Sequence, residues 1–304
     1  MKLFEYFALE KPVVVTADME ECTAYAEVFR GNSAAELGNA IDEALLVKDT
    51  PSFVARLREL ADQNDWRLRA LAYETVFSKR TSLDQVQRII RDCHRMDGDG
   101  KTYYEDAYME QEMLYWRPVP MWIDDLQNIN AVVDVGAAYG TLLSYVALNK
   151  GCKEVYAIDP VGYMSNSLRQ KLGIKLVRMD FEREDFSLPL RFDLVIFTEV
   201  IEHLNFHPMP TLLKLKSLLN PGGRLLLTTP DAEEWGRVTD FYPSLDAIPK
   251  YDGRECEWID GHIWQYTKDE LEGLVIKAGF NIEKFDYSPG VAARHLCYLL
   301  SVKS

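Results

Sequence analysis

The sequence predicts an α/β fold built on a mostly parallel sheet, with a smaller helical part in front of it. From about residue 121 onward, short apolar runs alternate with stretches of helical periodicity. The first run, residues 132–135, ends in a turn of small residues that opens a helix. Carboxylates follow later runs at the points where the strands end, which is where open α/β sheets bind ligands.

Composition excludes several classes of function. No segment approaches the roughly 18 apolar residues of a membrane span, and residues 1–7 carry an early acid and no secretory pattern, so a cytoplasmic protein is expected. The five cysteines are widely spaced and are expected to be reduced. A net charge of −14 opposes phosphate backbones and therefore disfavours nucleic acid as a partner.

Residues 1–100 are predicted to form a mostly helical accessory part, with a short strand near residues 12–16. Capping signals and apolar spacing predict helices after Ser33, over 53–61, over 66–76 and after Ser82. This part contains no catalytic constellation. It is interpreted as a scaffold or as the dimerisation part of a homodimer, with a substrate-selecting cap as the alternative. An acidic joint, residues 97–100, separates it from the sheet domain at 101–304.

The elements of the sheet domain follow from periodicity and turn residues. Strands are predicted at 132–135, 154–158, 175–179, 192–197, 224–229, 282–287 and 295–302. Helices are predicted at 139–149, 163–172, 210–219 and 267–277.

The turn after the first strand carries the first functional signal. A dinucleotide fingerprint needs glycine at its first, third and sixth positions, and counting from Gly136 the last two are Ala138 and Thr141. Glycine returns instead at Gly140, with Asp134 two residues before Gly136. This pattern resembles the first motif of class I S-adenosylmethionine-dependent methyltransferases, in which a glycine usually stands at the place of Ala138.

The resemblance implies a Rossmann-like class I methyltransferase fold with a seven-stranded, mostly parallel sheet whose reversed last strand inserts as a hairpin. It implies a donor pocket made by the glycine turn and by strand-end residues. Asp159, 25 positions after Asp134, would take the ribose hydroxyls. Asp180 and Phe181 would contact the adenine, and Thr198 would lie near the methyl group.

Further donor contacts are implied by an aromatic segment, residues 103–116. Methyltransferases of this class often cover the donor with a segment just before the first strand, which makes Tyr104 a candidate together with Tyr103. As an alternative, these rings pack against the sheet domain.

The segment from Phe192 to Leu204 resembles the fourth-strand motif of the same superfamily. It places Glu199 beside the reactive methyl group, with Glu202 and His203 one turn later. With His262, these three residues form an alternative divalent-metal set similar to that of metal-dependent 2′-O-methyltransferases of small-RNA 3′ ends. Metal-free sugar and small-molecule methyltransferases carry very similar strings, so no metal is the favoured prediction.

The function predicted from these motifs is methyl transfer from S-adenosylmethionine to a hydroxyl of a small molecule, sugar or glycan. His262 is the first candidate for the base and His203 the second, with Glu199 as a further catalytic candidate. An aromatic excursion at 230–263 is predicted to be a lid or substrate insertion. The alternatives are a metal-dependent RNA 2′-O-methyltransferase and a non-catalytic scaffold that binds S-adenosylmethionine.

Overall fold

The structure, a computed structural model, describes residues 2–65, 80–100, 102–185, 190–254 and 257–303. The chain divides into two compact units, Met1–Arg80 and Thr81–Ser304. The predicted helix over 66–76 lies outside the described residues. Among the described helices, none combines the length and the apolar character that a membrane crossing requires.

The first unit joins a two-stranded parallel sheet to helices. Its elements are α1 (Leu3–Ala8), β1 (Val13–Thr16), α2 (Glu20–Thr23), β2 (Val28–Gly31), α3 (Ala34–Val47) and α4 (Pro51–Gln63). As predicted, the Ser33 side chain caps α3 by accepting from the Glu36 amide. Phe7 and Leu57 are fully buried in a small apolar core of this unit.

The second unit contains the large sheet and the remaining described helices. These helices are α5 (Leu83–Met96), α6 (Met109–Tyr115), α7 (Val119–Asp125), α8 (Thr141–Lys150), α9 (Asn166–Leu172), α10 (Pro208–Ser217), α11 (Ala232–Trp235) and α12 (Lys268–Ala278). A π-helical turn, Tyr104–Tyr108, leads directly into α6.

The boundary between the units differs from the one drawn at about residue 100. Helix α5 belongs to the second unit, and so do residues 97–100, which were expected to form an acidic joint. Asp97 accepts hydrogen bonds from the Ser165 hydroxyl at 2.7 Å and from the Ser167 amide at 3.2 Å, at the start of α9. These hydrogen bonds, the one from Ser165 first, lower the pKa of Asp97 to about 2. Local acidity and glycine content predicted a flexible joint, whereas Asp97 fixes the end of α5 to the start of α9.

The predicted seven-stranded, mostly parallel sheet is confirmed. Its order is β5-β4-β3-β6-β7-β9-β8. The strands are β3 (Ala131–Val135), β4 (Glu154–Ile158), β5 (Lys175–Val177), β6 (Phe192–Thr198), β7 (Leu219–Pro230), β8 (Phe280–Ser288) and β9 (His295–Val302). Strand β9 is antiparallel to both of its neighbours, as the hairpin prediction requires.

Both faces of the central strands are buried, which is why their sequences read as nearly continuous apolar runs. Successive side chains alternate between the faces. Val133 and Val135 join one apolar cluster, and Val132 joins the cluster on the opposite face. Asp134 shares the face of Val132, so a carboxyl group stands where an apolar side chain would be expected.

The antiparallel direction of β9 matters for the site. Its first residue, His295, pairs with Pro230, the last residue of β7. The start of β9 therefore lies at the same sheet edge as the carboxyl ends of the parallel strands.

Candidate active site

A cavity of about 260 Å³ opens at the carboxyl edge of β3 and β6. Asp134 and Gly136 form one side of it, and Thr198 and Glu199 continue the wall at the end of β6. Helix α6 contributes further lining residues, and His262 enters from the loop before α12. The site therefore lies where ligands of open α/β sheets bind.

Gly136 meets a steric requirement that no other residue type satisfies. Its φ is +80°, in the left-handed region. A β-carbon added there would stand 2.4 Å from Val200 Cγ2, well inside contact distance. Ala138 in the same turn has φ +44°, a conformation that costs a non-glycine residue roughly 1–2 kcal/mol. The turn is thus tight at Gly136 and strained at Ala138.

Asp159 holds this turn in place. Its Oδ2 accepts a hydrogen bond from the Ala138 amide at 3.0 Å. Its Oδ1 accepts from the Val161 amide at 2.9 Å and the Gly162 amide at 2.7 Å. One buried carboxylate therefore joins the turn after β3 to the turn after β4.

Buried carboxyl groups give the cavity its electrostatic character. Glu112, Asp134 and Glu202 line it and are at most 4% exposed. Burial raises the pKa of Glu112 to about 7 and raises the pKa values of Asp134 and Glu202 well above their usual range. None of the described residues lining the cavity is lysine or arginine. A cationic or neutral ligand suits this cavity, and an anionic one does not.

Glu112 is the centre of a buried hydrogen-bond network. Its Oε1 accepts from the Thr141 hydroxyl at 2.9 Å, and its Oε2 accepts from Gln87 Nε2 at 3.0 Å and from the Tyr104 hydroxyl at 3.3 Å. The Tyr104 and Thr141 hydroxyls are themselves 2.9 Å apart. The network locks α6 against the first turn of α8, next to the glycine turn.

Glu199 is held by two partners behind the cavity wall. The Thr228 hydroxyl donates to its Oε1 at 2.7 Å, and its Oε2 lies 2.8 Å from His295 Nδ1. The His295 ring stacks on Tyr115 with centroids 4.4 Å apart. Glu199 has φ +55°, so the chain turns sharply at the end of β6 to aim this side chain inward.

His203 and His262 both line the first cavity, and their rings are in contact. Their ring centroids are 4.7 Å apart at an interplanar angle of 89°. Burial lowers the pKa of both, that of His262 to about 4 with a further contribution from His203, so both rings are neutral at pH 7. Gln265 Nε2 lies 3.0 Å from His262 Nδ1, and the Val238 amide donates to Gln265 Oε1 at 2.7 Å.

Glu202, His203 and His262 form a compact cluster of ligand-type side chains, with one such atom of each within 4.8 Å of the others. A metal-bound histidine donates its second ring N–H to an acceptor. The atom facing His262 Nδ1 is the Gln265 amide nitrogen, which is itself a donor. The residues present therefore do not fit a divalent ion bound through His262.

A second, smaller cavity of about 100 Å³ lies on the other side of the glycine turn. Asp180 and Phe181, which follow β5, line it together with Gly136. Asp180 Oδ1 accepts from the Glu182 amide at 3.0 Å, so the carboxylate also shapes its own loop. Trp258 completes one wall.

Residues 106–284 match a protein-family model described as a methyltransferase domain. The chain belongs to this methyltransferase family. No curated protein matches the methyltransferase in sequence.

Solved structures similar to this methyltransferase come from several bacteria. An S-adenosylmethionine-dependent methyltransferase of Clostridium acetobutylicum is 11% identical, covering 66% of this chain and 96% of its own, with a TM-score of 0.47. The 1,6-didemethyltoxoflavin-N1-methyltransferase of Burkholderia thailandensis is 18% identical, covering 72% and 88%, with a TM-score of 0.47. Magnesium protoporphyrin IX methyltransferase of Synechocystis is 19% identical, covering 72% and 100%, with a TM-score of 0.47.

Most of the side chains predicted for the methyltransferase site lie around the two cavities. The first cavity is lined by Asp134, Gly136, Ala138, Thr198, Glu199, Glu202, His203 and His262. The second is lined by Asp180 and Phe181, and Gly136 and His203 face both.

Three predicted donor contacts lie outside the lining of these cavities. Asp159 is occupied by the three backbone amides described above. Gly140 begins α8, and a β-carbon there would meet Met164 Cε at 2.4 Å. Tyr104 is fully buried against Tyr139, and its hydroxyl belongs to the Glu112 network. The structure thus places Tyr104 behind the cavity wall, where it supports Glu112.

Sequence reasoning missed Glu112, His295 and Gln265. Glu112 follows the polar residues Glu110 and Gln111 in a helix and reads as a surface acid. His295 begins the last strand, and only the antiparallel pairing of β9 brings it to the site. Gln265 lies three residues after His262, but its role depends on which of its amide atoms faces that ring. The excursion at 230–263 contributes Trp235 to the first cavity and Trp258 to the second.

We predict that Gly136→Ala destabilises the fold and abolishes donor binding, because the new methyl group would collide with Val200. Overpacking of this kind costs roughly 1–3 kcal/mol, beyond the strain of the backbone conformation. Denaturant unfolding measures the stability, and calorimetric titration with S-adenosylmethionine measures the binding.

Gly151→Ala is the matched control. Gly151 also has a positive φ, +63°, but nothing lies within 4 Å of a β-carbon there. It carries the backbone strain without the collision. Equal losses of stability in the two variants would contradict the steric role of Gly136.

We predict that Glu112→Gln stabilises the protein at pH 8 and leaves its stability unchanged near pH 4. The folded-state pKa, about 7, lies above the usual 4.5, so wild-type stability falls as pH rises between these values. The difference above pH 7 is about 3 kcal/mol, at 1.36 kcal/mol per pKa unit. Urea unfolding at several pH values measures it, and a difference that does not vary with pH would refute the buried, protonated carboxyl.

Proposed function

We propose that this methyltransferase uses S-adenosylmethionine to methylate a hydroxyl oxygen of a small molecule, sugar or glycan. The observation that carries the proposal is the first cavity, whose lining combines a glycine turn, buried carboxyls and two neutral histidines. When bound, S-adenosylmethionine supplies an electrophilic methyl group on a cationic sulfur.

The residues present fit this donor. An ammonium and a sulfonium carry its positive charges, and the cavity offers Glu112, Asp134, Glu199 and Glu202 with no competing cation among the described lining residues. The smaller cavity supplies Phe181 for a planar base and Asp180 for an exocyclic amino group. Gly136 lets a ligand lie against the backbone between the two.

The acidic lining also bears on the acceptor. A phosphate or carboxylate acceptor would enter a space without lysine or arginine among its described lining residues. A neutral hydroxyl enters without that penalty. The tryptophans at 235 and 258 offer faces on which a sugar or other ring can stack.

Proton removal is the remaining chemical task. His203 and His262 are neutral at pH 7, and Glu199 is fixed in orientation by Thr228 and His295. General-base catalysis by such groups contributes typically 10²–10⁴-fold. The excursion at 230–263 and the well-buried walls keep water from the methyl group.

Two further predictions accompany this function. The N-terminal unit acts as a scaffold or in a homodimer. The reaction takes place in the cytoplasm, consistent with the free thiols of Cys22, Cys93, Cys152 and Cys297.

Calorimetric titration with S-adenosylmethionine is expected to give saturable binding. Incubation with labelled donor and a panel of methyl glycosides, phenols and primary amines is expected to label hydroxyl compounds. Binding without transfer to any acceptor supports the scaffold alternative, and absence of binding refutes the donor assignment. Preferential labelling of amines would contradict the oxygen acceptor.

We expect full turnover after exhaustive chelation, because the cluster of Glu202, His203 and His262 does not fit a divalent ion bound through His262. The matched control is the same protein chelated and then supplied with Mg²⁺ or Mn²⁺. Loss of turnover on chelation, restored by metal and accompanied by methylation of RNA 3′ ends, would favour the RNA alternative.

A further inference from the structure

We propose that Gln265 fixes His262 as a hydrogen-bond donor to the acceptor oxygen, which leaves His203 to take the proton. The inference rests on the proposed function and divides the roles of its two histidines. In it, Gln265 is a positioning residue that does not itself touch the acceptor.

The orientation of the Gln265 amide is determined by the backbone. The Val238 amide donates to Gln265 Oε1 at 2.7 Å, and only the carbonyl oxygen of a glutamine side chain can accept. The amide nitrogen therefore faces His262 Nδ1, 3.0 Å away. Gln265 is 1% exposed, so water does not compete for either contact.

This arrangement selects one tautomer of His262. An amide nitrogen donates, so His262 Nδ1 must present its lone pair. A neutral imidazole has a single N–H, which must then lie on Nε2. Burial, the first cause, together with the charge of His203, lowers the pKa of His262 to about 4, so the ring stays neutral at working pH. Its Nε2 can donate to a ligand and cannot accept from one.

The other cavity histidines differ in what their nitrogens contact. His295 Nδ1 lies on Glu199, and its Nε2 is buried without a partner next to Gly290. The neutral His203 ring donates its one N–H to the Gly261 backbone, which raises its pKa against the effect of burial, and Glu202 Oε1 lies 4.0 Å from His203 Nε2. His203 is therefore the cavity imidazole with a lone pair available to a substrate.

The two histidines together orient a hydroxyl oxygen. The acceptor oxygen is bonded to its own carbon and to one hydrogen, and that hydrogen points to His203. One lone pair of the oxygen accepts the N–H of His262. The second lone pair is left to attack the methyl carbon. The O–C bond forms as the S–C bond breaks with its electron pair left on sulfur, and the hydroxyl proton passes to His203. Misplacement by about 1 Å in such an arrangement can cost 10²-fold in rate.

The tautomer is tested on the ligand-free protein by ¹⁵N NMR of labelled histidine. The chain has five histidines, and the His262 signals are assigned by their loss in His262→Gln. We expect hydrogen on Nε2 and none on Nδ1 at pH 7.5. Hydrogen on Nδ1 would overturn the proposal whether or not the protein transfers methyl groups.

Gln265→Glu reverses the contact without changing its size. One carboxylate oxygen still accepts from the Val238 amide, and the other now accepts from His262 Nδ1. We expect the hydrogen of neutral His262 to move to Nδ1 and its pKa to rise. Turnover of the best acceptor of the panel should then gain a falling limb at alkaline pH. An unchanged tautomer and pH profile would refute the positioning role of Gln265.

Matched glutamine variants separate the two histidines. His262→Gln keeps an N–H donor and is expected to retain turnover within about 10-fold of wild type. His203→Gln removes the proton acceptor and is expected to lose about 100-fold or more. The reverse ranking, with S-adenosylmethionine binding intact in both variants, would assign the base to His262 and refute the division.

Discussion

The site depends on one buried carboxylate, Asp159, which accepts three backbone amides from two different turns. A hydrogen bond to a charged acceptor contributes about 1.5–3 kcal/mol, so these three contacts stabilise both turns. By joining Ala138 to the loop after β4, the carboxylate sets the path of the glycine turn. The turn is held there together with the hydrogen bond from the Gly136 amide to the Ile158 carbonyl at 2.8 Å, and in this position Gly136 closely approaches Val200.

The carboxyl groups behind that turn explain why the cavity suits a cationic ligand. Three of them are buried with raised pKa values, so they approach neutrality in the free protein. A bound cation would favour their charged forms and be held by them in return. The Glu112 network stabilises this arrangement mechanically, because it ties α6 to the helix that begins beside the ligand. Glu112 therefore contributes both an acidic group to the cavity and the hydrogen bonds that hold its wall.

The contacts of His203 and His262 show how a residue behind the cavity determines the hydrogen-bonding role of a residue that lines it. His203 and His262 have the same side chain, the same kind of burial and the same direction of pKa shift. They differ in the atom that faces each ring. Gln265, itself oriented by one backbone amide, makes one imidazole a donor and disfavours its use as a metal ligand.

The sequence by itself determined the parallel sheet, the position of the glycine turn and most strand boundaries, because those features depend on local periodicity and on residues at strand ends. It also brought Glu199, Glu202 and His203 to one cavity, since they follow the end of a parallel strand, and it added His262 through the resemblance of the segment before α12. Tertiary structure alone decided the placement of α5 with the sheet, the burial of Tyr104, the use of Asp159 as an anchor, and the entry of Glu112 and His295 into the site. Each of these depends on contacts between residues far apart in the chain, and the tautomer of His262 depends on the direction of a single amide, which no sequence pattern encodes.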